Sequence, residues 1–429
     1  MKQSFDAIVV GAGPAGCACG YTLAKAGLEV LVVERGKFAG AKNMWGGAFF
    51  GPTLAELIPD FWAEAPIERY VASHKLSFLT DEDCLSIEFT TPKFSQPPYN
   101  GFTVLRSKFD QWFAMKVGQA GAIVATGFQA DDLLWKGNQV VGIKAGGDEL
   151  PARVIIACDG VNSILAQKAG LRGEFKPQDV KQGVKEVTAL PRDTIEQRFN
   201  LSGDEGIAWE LIGSCTRGLP GGGFIYANKD SLSVGIVVQL NALAEKQVKA
   251  NDLLEDFKRH PAVASLLDGG KLVEYSAHLI PVSGINMMPR LYTDGFLAAG
   301  DAAAFVVGTG LILEGANFAV ASGVAAAETV MRAKQKGDFS ARSLAYYQEL
   351  LEQNFVLKDL KTFSKAPRFL ENPRIYTTYP ELACNLAERL FTSDGKPRKR
   401  IWQLLRESKR GKISLWQMAR DLMQGKEAI

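Results

Sequence analysis

The chain has only three histidines, His74, His260 and His278, far apart in the sequence and outside every motif described below. Each reads as a surface or packing histidine. The six cysteines (17, 19, 84, 158, 215 and 384) are scattered, with no CxxC pair and no ferredoxin-like cluster. No Ser-His-Asp order and no metal-ligand spacing stands out, so neither nucleophilic hydrolysis nor a metal centre has a candidate set of residues. The net charge is only +2, which predicts no general attraction to nucleic acid. Low-complexity tracts and internal repeats are absent. No signal peptide is expected before Phe5, because the first strand begins almost at Met1. With free thiols, this gives an expected location on the cytoplasmic side. The longest weakly polar stretch, Gly295 to Val330, carries Asp301, Glu314 and Asn317 among many glycines. It reads as a buried loop-helix unit rather than a membrane span.

What is present is a globular composition, 47% apolar and 22% charged, over 429 residues, more than one ordinary core. From Phe5 it reads "FDAIVVGAGPAGCACGYTLAKAGLEVLVVERG". The run FDAIVV has the β-branched, continuously apolar character of a strand buried on both faces. Gly11, Gly13 and Gly16 follow at the GxGxxG spacing and open a helix, in which Cys17 and Cys19 read as packing residues. Gly27 stops that helix, and LEVLVVE forms a second strand ending at Glu34. Gly11 permits the tight turn, Gly13 lets the backbone approach a pyrophosphate, and Gly16 lets helix and strand pack closely. The helix N-terminus favours the anion. Glu34 stands where a carboxylate accepts hydrogen bonds from an adenosine ribose, and its charge disfavours a 2′-phosphate. The expected dinucleotide set here is therefore Gly11, Gly13, Pro14, Ala15, Gly16, Glu34 and the adjoining Arg35.

The opening motif alone does not separate FAD from NAD. Downstream, LYTDGFLAAGDAAAF is a strand ending in Gly300-Asp301. Asp301 has two readings: an acceptor for the ribityl hydroxyls that only a flavin dinucleotide carries, or a cap for its own helix. Arg106 precedes an amphipathic helix with Phe109, Trp112, Phe113 and Val117 on its apolar side. PARVIIACDGVNS is another buried strand, ending in Asp159-Gly160. This order of motifs resembles the flavoprotein group typified by aromatic hydroxylases and geranylgeranyl reductases. The resemblance implies tightly bound FAD, with Asp301 at the ribityl chain and Arg106 near the phosphate-ribityl region.

The expected fold is α/β, with a discontinuous Rossmann-like FAD-binding domain built from 1–75, 101–180 and 280–330. A β-rich substrate or quinone domain is expected from 76–100 and 181–279, where two apolar runs flank the hairpin signal NKDS. After Met331 the pattern is helical and charged, giving a helical C-terminal region over 331–429.

Two stretches narrow the family. Leu357 to Pro397, and GTGLILEGANFAVASG with Gly308 and Gly310, resemble the electron-transfer-flavoprotein:quinone oxidoreductase family, in its short bacterial FixC branch. The resemblance implies that electrons arrive from an electron-transfer flavoprotein, reduce the FAD and leave to a membrane quinone. Larger members carry a four-cysteine iron–sulfur cluster, but only Cys384 follows Cys215 here, so this polypeptide cannot build it. The short branch has a separate ferredoxin-like partner. Lys42 resembles a family position near the cofactor, with a solvated loop lysine as the other reading. Trp45 is either core packing or part of a quinone channel. No catalytic side chain and no metal ligand is assigned, because such a relay leaves the redox chemistry to the flavin.

Two rival functions stand beside this one. A reductase or hydroxylase of an isoprenoid or aromatic molecule would oxidise NAD(P)H directly when that substrate is added. A non-catalytic FAD-bearing subunit would reoxidise only slowly with every quinone. The last stretch, Lys396 to Lys426, holds ten Lys/Arg, with apolar residues Ile401, Trp402, Leu404, Leu405, Leu415, Trp416, Ala419, Leu422 and Met423 at helical spacing. Such a face either lies on anionic lipid or packs on the protein. The apolar run from Met44 to Trp62 is a rival surface for membrane contact.

Overall fold

A computed structural model describes residues 4–41, 47–409 and 411–429. Lys42 and Trp45 lie outside the described residues, as does the start of the apolar run from Met44. Among the described residues the strands form an eight-stranded sheet, a nine-stranded sheet and a two-stranded hairpin.

The first sheet is centred on Phe5–Val10, which pairs in parallel with Val30–Glu34 and with Asp148–Ala157. Phe296–Ala298 adds in parallel outside Asp148–Ala157, and Ile123–Thr126 in parallel outside Val30–Glu34. Residues 7 to 9 and 30 to 33 are all buried, which explains their uninterrupted apolar, β-branched composition. Helix Pro14–Lys25 covers this sheet and packs against the long helix Ala316–Lys336. Only small residues let the two helices approach. A Cβ on Gly323 would stand 2.2 Å from the Ala15 carbonyl oxygen. The stretch from Gly295 to Val330 is thus a buried strand, a turn and a helix, because its alanines and glycines are interhelical contacts.

The second sheet runs Lys271–Pro281, Val180–Ala189, Ser231–Gln239, Gly221–Ala227, Glu205–Gly213, Ile67–Leu79, Gly101–Val104, Ala48–Phe50, with Cys84–Thr90 paired to Ile67–Leu79. The hairpin expected around NKDS closes with the Asn228 amide donating to the Ser231 carbonyl at 2.9 Å. Three strands of this sheet, at 48–50, 67–79 and 101–104, come from stretches that the sequence grouped largely with the cofactor-binding part. One face carries Val184, Leu211, Ile225, Val234 and Ile236 into a core covered by helices Ala250–Arg259 and Pro261–Leu267. The other face turns toward the first sheet.

Arg69 fastens one end of the second sheet. It is wholly buried, and its guanidinium donates to the carbonyls of Asn228 (2.8 Å), Gly203 and Glu205 (both 2.9 Å) and to the Glu196 carboxylate (3.3 Å). Beyond the sheets the chain is helical, ending in Thr378–Phe391, Ile401–Ser408 and Leu415–Ala428.

Candidate active site

The carboxyl ends of the central parallel strands are level with one another: Val10 pairs with Ala157, which pairs with Ala298, while Val33 pairs with Val10. Open α/β sheets bind ligands beyond such an edge. Here the edge opens into a cleft of about 1240 Å³, including its open mouth.

The first wall is the turn after Phe5–Val10. Gly11 has φ +106°, and a Cβ there would stand 2.3 Å from the Cys158 carbonyl oxygen. No other residue fits between these two strand ends. Gly13, Pro14 and Ala15 line the cleft. Gly13 occupies the N-cap of Pro14–Lys25 without a side chain to cap it, so first-turn amides face the cleft. Gly16 lies beneath this wall, where its hypothetical Cβ would meet the Gly11 carbonyl oxygen at 1.8 Å. Glu34 is buried, and its carboxylate accepts from the amides of Ala12 (3.0 Å) and Gly36 (2.6 Å). Its orientation is therefore fixed while it still lines the cleft. Arg35 lines the same wall and is itself exposed.

Opposite stand Arg106 and Asp301. Arg106 begins helix Arg106–Gln119, whose Phe109, Trp112, Phe113 and Val117 are buried, as the amphipathic pattern predicts. A two-point pair with Asp110 (Nε to Oδ1 2.7 Å, Nη2 to Oδ2 2.5 Å) sets the direction of the guanidinium. Asp301 lies in the turn Gly300–Ala303. Burial pushes its carboxyl up to about 6, against the opposing pull of Arg106. Among the described residues its carboxylate caps no backbone amide of its turn. Gly300 makes room for this approach, with φ +64° and a hypothetical Cβ 2.9 Å from that of Ala15.

Asp159 and Gly160 also line the cleft, but the Asp159 carboxylate already accepts from Ser163 Oγ (2.8 Å) and from the Leu165 amide (3.3 Å). It organises the turn before helix Ile164–Lys168. Gly308 and Gly310 do not line the cleft; they line a second cavity.

Several lining residues escape motif reading. Asn162 and Ser163 follow Asp159-Gly160 directly, so extending that motif would have found them. Phe128 and Gln129 follow strand Ile123–Thr126 and carry no motif. His278 is the principal correction: it lines the cleft instead of lying apart from the cofactor motifs. The antiparallel pairing of Lys271–Pro281 with Val180–Ala189 sets it opposite Gly183, on the face turned toward the first sheet. Burial, with Arg106 and Arg35 nearby, pushes its pKa down to about 4, so it is uncharged at neutral pH.

The second cavity, about 1060 Å³ with its mouth, lies between that face of the second sheet and the hairpin Val307–Gly308/Leu313–Glu314. Leu311, Ile312 and Leu313 line one side, and Gly221, Gly222, Gly223 and Phe224 the other. Gly315 and Ala316, immediately after the hairpin, line the first cleft. One short segment thus borders both spaces.

The first cleft fits an FAD. A glycine turn that admits no Cβ, an uncapped helix N-terminus, a fixed buried carboxylate and a second carboxyl with no cap to make match the successive parts of a flavin dinucleotide. We expect Asp301→Ala to weaken FAD affinity by about 10- to 100-fold, the loss of one hydrogen bond to a charged group. Asp159→Asn, which keeps an acceptor for Ser163, should retain FAD nearly as the unchanged chain does. Equal retention by the two variants, read as flavin remaining after dialysis, would return Asp301 to a role in its own turn.

Residues 6–77 match the family described as FAD dependent oxidoreductase. Residues 181–280 match the ETF-QO ubiquinone-binding family, and residues 366–429 the ETF-QO/FixC family C-terminal domain. Among curated relatives, the probable electron transfer flavoprotein-quinone oxidoreductase YdiS of Escherichia coli K12 is 44% identical over 100% of this chain and 99% of its own length. Protein FixC of the same strain is 45% identical, over 99% of each chain. Protein FixC of Azorhizobium caulinodans is 40% identical over 93% of this chain and 92% of its own. Among solved structures, a geranylgeranyl bacteriochlorophyll reductase-like protein of Thermoplasma acidophilum superposes with a TM-score of 0.75 at 18% identity, covering 100% of both chains. A flavin-dependent brominase gives 0.65 at 16% identity, over 95% of this chain and 99% of its own. These likenesses agree with the expected fold class, and the whole-length identities decide the family: the chain belongs to the electron transfer flavoprotein-quinone oxidoreductase/FixC family and is an FAD-dependent oxidoreductase.

Proposed function

We propose that the chain relays electrons from an electron-transfer flavoprotein to a membrane quinone, with FAD in the first cleft and the quinone in the second cavity. The observation that carries this reading is adjacency: the glycine-containing hairpin segment lining the second cavity runs directly into Gly315 and Ala316 of the first cleft. The second cavity also draws much of its lining from residues matched to the ubiquinone-binding family. Bound FAD supplies the transfer of electrons from one partner to the other. The chain's own residues hold and tune it. The first-turn amides of Pro14–Lys25 meet the pyrophosphate, Glu34 the ribose, and Asp301 the ribityl hydroxyls, while Arg106 keeps positive charge beside Asp301. Gly308 and Gly310 serve the wall between the two spaces. In this division 1–75, 101–180 and 280–330 hold the cofactor, 76–100 and 181–279 face the quinone, and 331–429 form the helical part. Short strands of the first group complete the quinone-facing sheet. A separate ferredoxin-like protein is a further partner in this reading, because the scattered cysteines supply no cluster in the chain itself. Anaerobic mixing with reduced electron-transfer flavoprotein and a short-chain quinone tests the proposal. Quinol should form with the flavin cycling; failure to do so with the native partner overturns it.

Among the described residues no helix is long and apolar enough to cross a membrane. We propose peripheral contact with the inner face of the cytoplasmic membrane through the C-terminal helices. Leu415–Ala428 is turned outward: Trp416, Leu422 and Met423 are 70%, 75% and 57% exposed while Asp421 is 3% exposed. Asp421 accepts from Arg374 at 2.6 Å through each oxygen and from Tyr379 Oη at 2.8 Å. These partners hold its carboxyl down at about 2, below its ordinary 3.8. The tether is therefore at full strength above pH 4 and is lost only as pH falls through about 2. Ile401 and Trp402 are exposed on the neighbouring helix beside Arg398, Lys399 and Arg400. The rival run near residue 44 packs inward where it is described, with Phe49, Leu54 and Phe61 buried. Sedimentation with anionic vesicles should be salt-sensitive. It should weaken by about 100-fold when Arg398, Lys399 and Arg400 are all changed to Gln, at about 1 kcal/mol per cation. Binding indifferent to both changes would exclude this surface.

A further inference from the structure

Side chains alternate across the second sheet, and the face turned from its own core carries an unusual group. Glu210 lies opposite Phe224, Ala208 opposite Tyr226, and Lys181 opposite Gln239, so all these positions share one face. Glu210, Tyr226, Lys181 and Gln239 line the second cavity. Around them the lining is glycine, leucine, isoleucine and the stacked rings of Phe224 and Tyr226, whose centroids are 5.0 Å apart. Among the described residues the Glu210 carboxyl has no ion-pair partner and no side chain bonded to it. An unpaired carboxyl facing an apolar cavity is costly to keep ionised and well placed to exchange a proton with whatever the cavity holds.

We propose that Glu210 is the proton donor to a carbonyl oxygen of the quinone in this cavity. The proposal rests on the reading above for where the quinone binds. Reduction of a quinone to a quinol takes two electrons, which the reduced flavin supplies, and two protons. One carbonyl oxygen takes its proton from Glu210 as its C=O becomes C–OH, leaving a carboxylate. The other oxygen takes a proton from solvent, and water at the cavity mouth then reprotonates Glu210. The chemistry of the site agrees with that role. Burial pushes the Glu210 carboxyl up to about 8, so it carries its proton at neutral pH. Four other titratable groups line the cavity. Burial pushes Lys181 down to about 8 and raises the phenols Tyr226 and Tyr376, while Glu371 comes from the C-terminal segment. On the strand paired to the other side of Glu205–Gly213, His74 sits opposite Ala208, and burial lowers its pKa too. Glu210 is the carboxyl that shares the sheet face with the stacked Phe224 and Tyr226 rings, and Lys181, which also holds a proton below about 8, is the rival donor on that face.

The test uses the FAD-loaded protein and a short-chain ubiquinone analogue. Glu210→Gln keeps the size and a hydrogen-bond donor but has no proton to give. Its affinity for the analogue should change by less than about threefold, while reduction of the analogue by the pre-reduced protein slows about 100-fold. In the unchanged protein that rate should fall as pH rises through about 8, the Glu210 value. Lys181→Met should keep the same fall, which separates the two groups titrating there. Independently of turnover, infrared difference spectra should show a protonated-carboxyl band that disappears on raising pH through this range and is missing in Glu210→Gln. If the Gln variant folds poorly, Glu210→Asp serves instead, with a slowed rate but the band and pH dependence retained. Wild-type rates in Glu210→Gln, or an infrared band unaffected by that change, overturn the proposal while leaving the quinone site standing. An unchanged protein that neither binds nor reduces the analogue overturns both.

Discussion

Gly13→Val should yield a folded chain that retains no FAD, whereas the unchanged chain should purify yellow with about one FAD per chain. Gly13 sits at φ −81° and ψ −175°, extended backbone that valine adopts readily. Its place is the N-cap of Pro14–Lys25, at the cleft wall, where a branched side chain would fill the space needed by the pyrophosphate. The change therefore strikes the ligand and spares the fold. Gly11 behaves in the opposite way. At φ +106° and with Cys158 2.3 Å from any Cβ, Gly11→Ala separates two strand ends and should unfold the sheet edge itself. Flavin absorbance after gel filtration reads the first effect and circular dichroism the second. Full flavin occupancy in Gly13→Val would contradict the assignment of the turn.

Arg69→Met lowers stability by about 3–5 kcal/mol, read as a fall in the urea midpoint, while Glu196 keeps its second partner. The reason is local accounting of donors. Four carbonyls, from Asn228, Gly203, Glu205 and Lys229, converge on one wholly buried guanidinium, and methionine offers them nothing, although Gly203 keeps Arg192 as a donor at 2.8 Å. Glu196 remains held by Arg192 Nε at 2.8 Å, so the loss does not come from an orphaned carboxylate. The cofactor cleft lies elsewhere, and FAD content should be unchanged in the folded fraction. A midpoint within experimental scatter of the unchanged chain would mean that water replaces the arginine.

Much of the cofactor site was legible because its chemistry constrains residue type at fixed spacing. Parallel strands buried on both faces must read as continuous apolar runs, and the turns after them must be glycine where a neighbouring strand end intrudes, as Gly11 does on Cys158. Other parts depend on partners distant in sequence. Gly101–Val104 and Ala48–Phe50 are too short to show a period of two, and only their pairing with each other and with Ile67–Leu79 assigns them to the second sheet. His278 could be seen as a strand residue, but which face it takes follows from its register with Gly183. The C-terminal helix carries the same lesson. Periodicity shows that Leu415–Ala428 has two faces; that the polar one is inside depends on Arg374 and Tyr379 receiving Asp421.

The thin wall between the two cavities has a consequence for kinetics. Gly308, Gly310 and Leu311 to Leu313 face one space and Gly315 and Ala316 the other, so a quinone placed as proposed would not share the cofactor's space. A molecule lodged in the second cavity would then leave the cofactor cleft itself unobstructed. Such an inhibitor should depress the maximal rate and lower, in the same proportion, the amount of donor protein needed to reach half of it. The donor can likewise charge the enzyme while the acceptor side stays blocked, and a pulse of stored electrons should appear when the block is washed away.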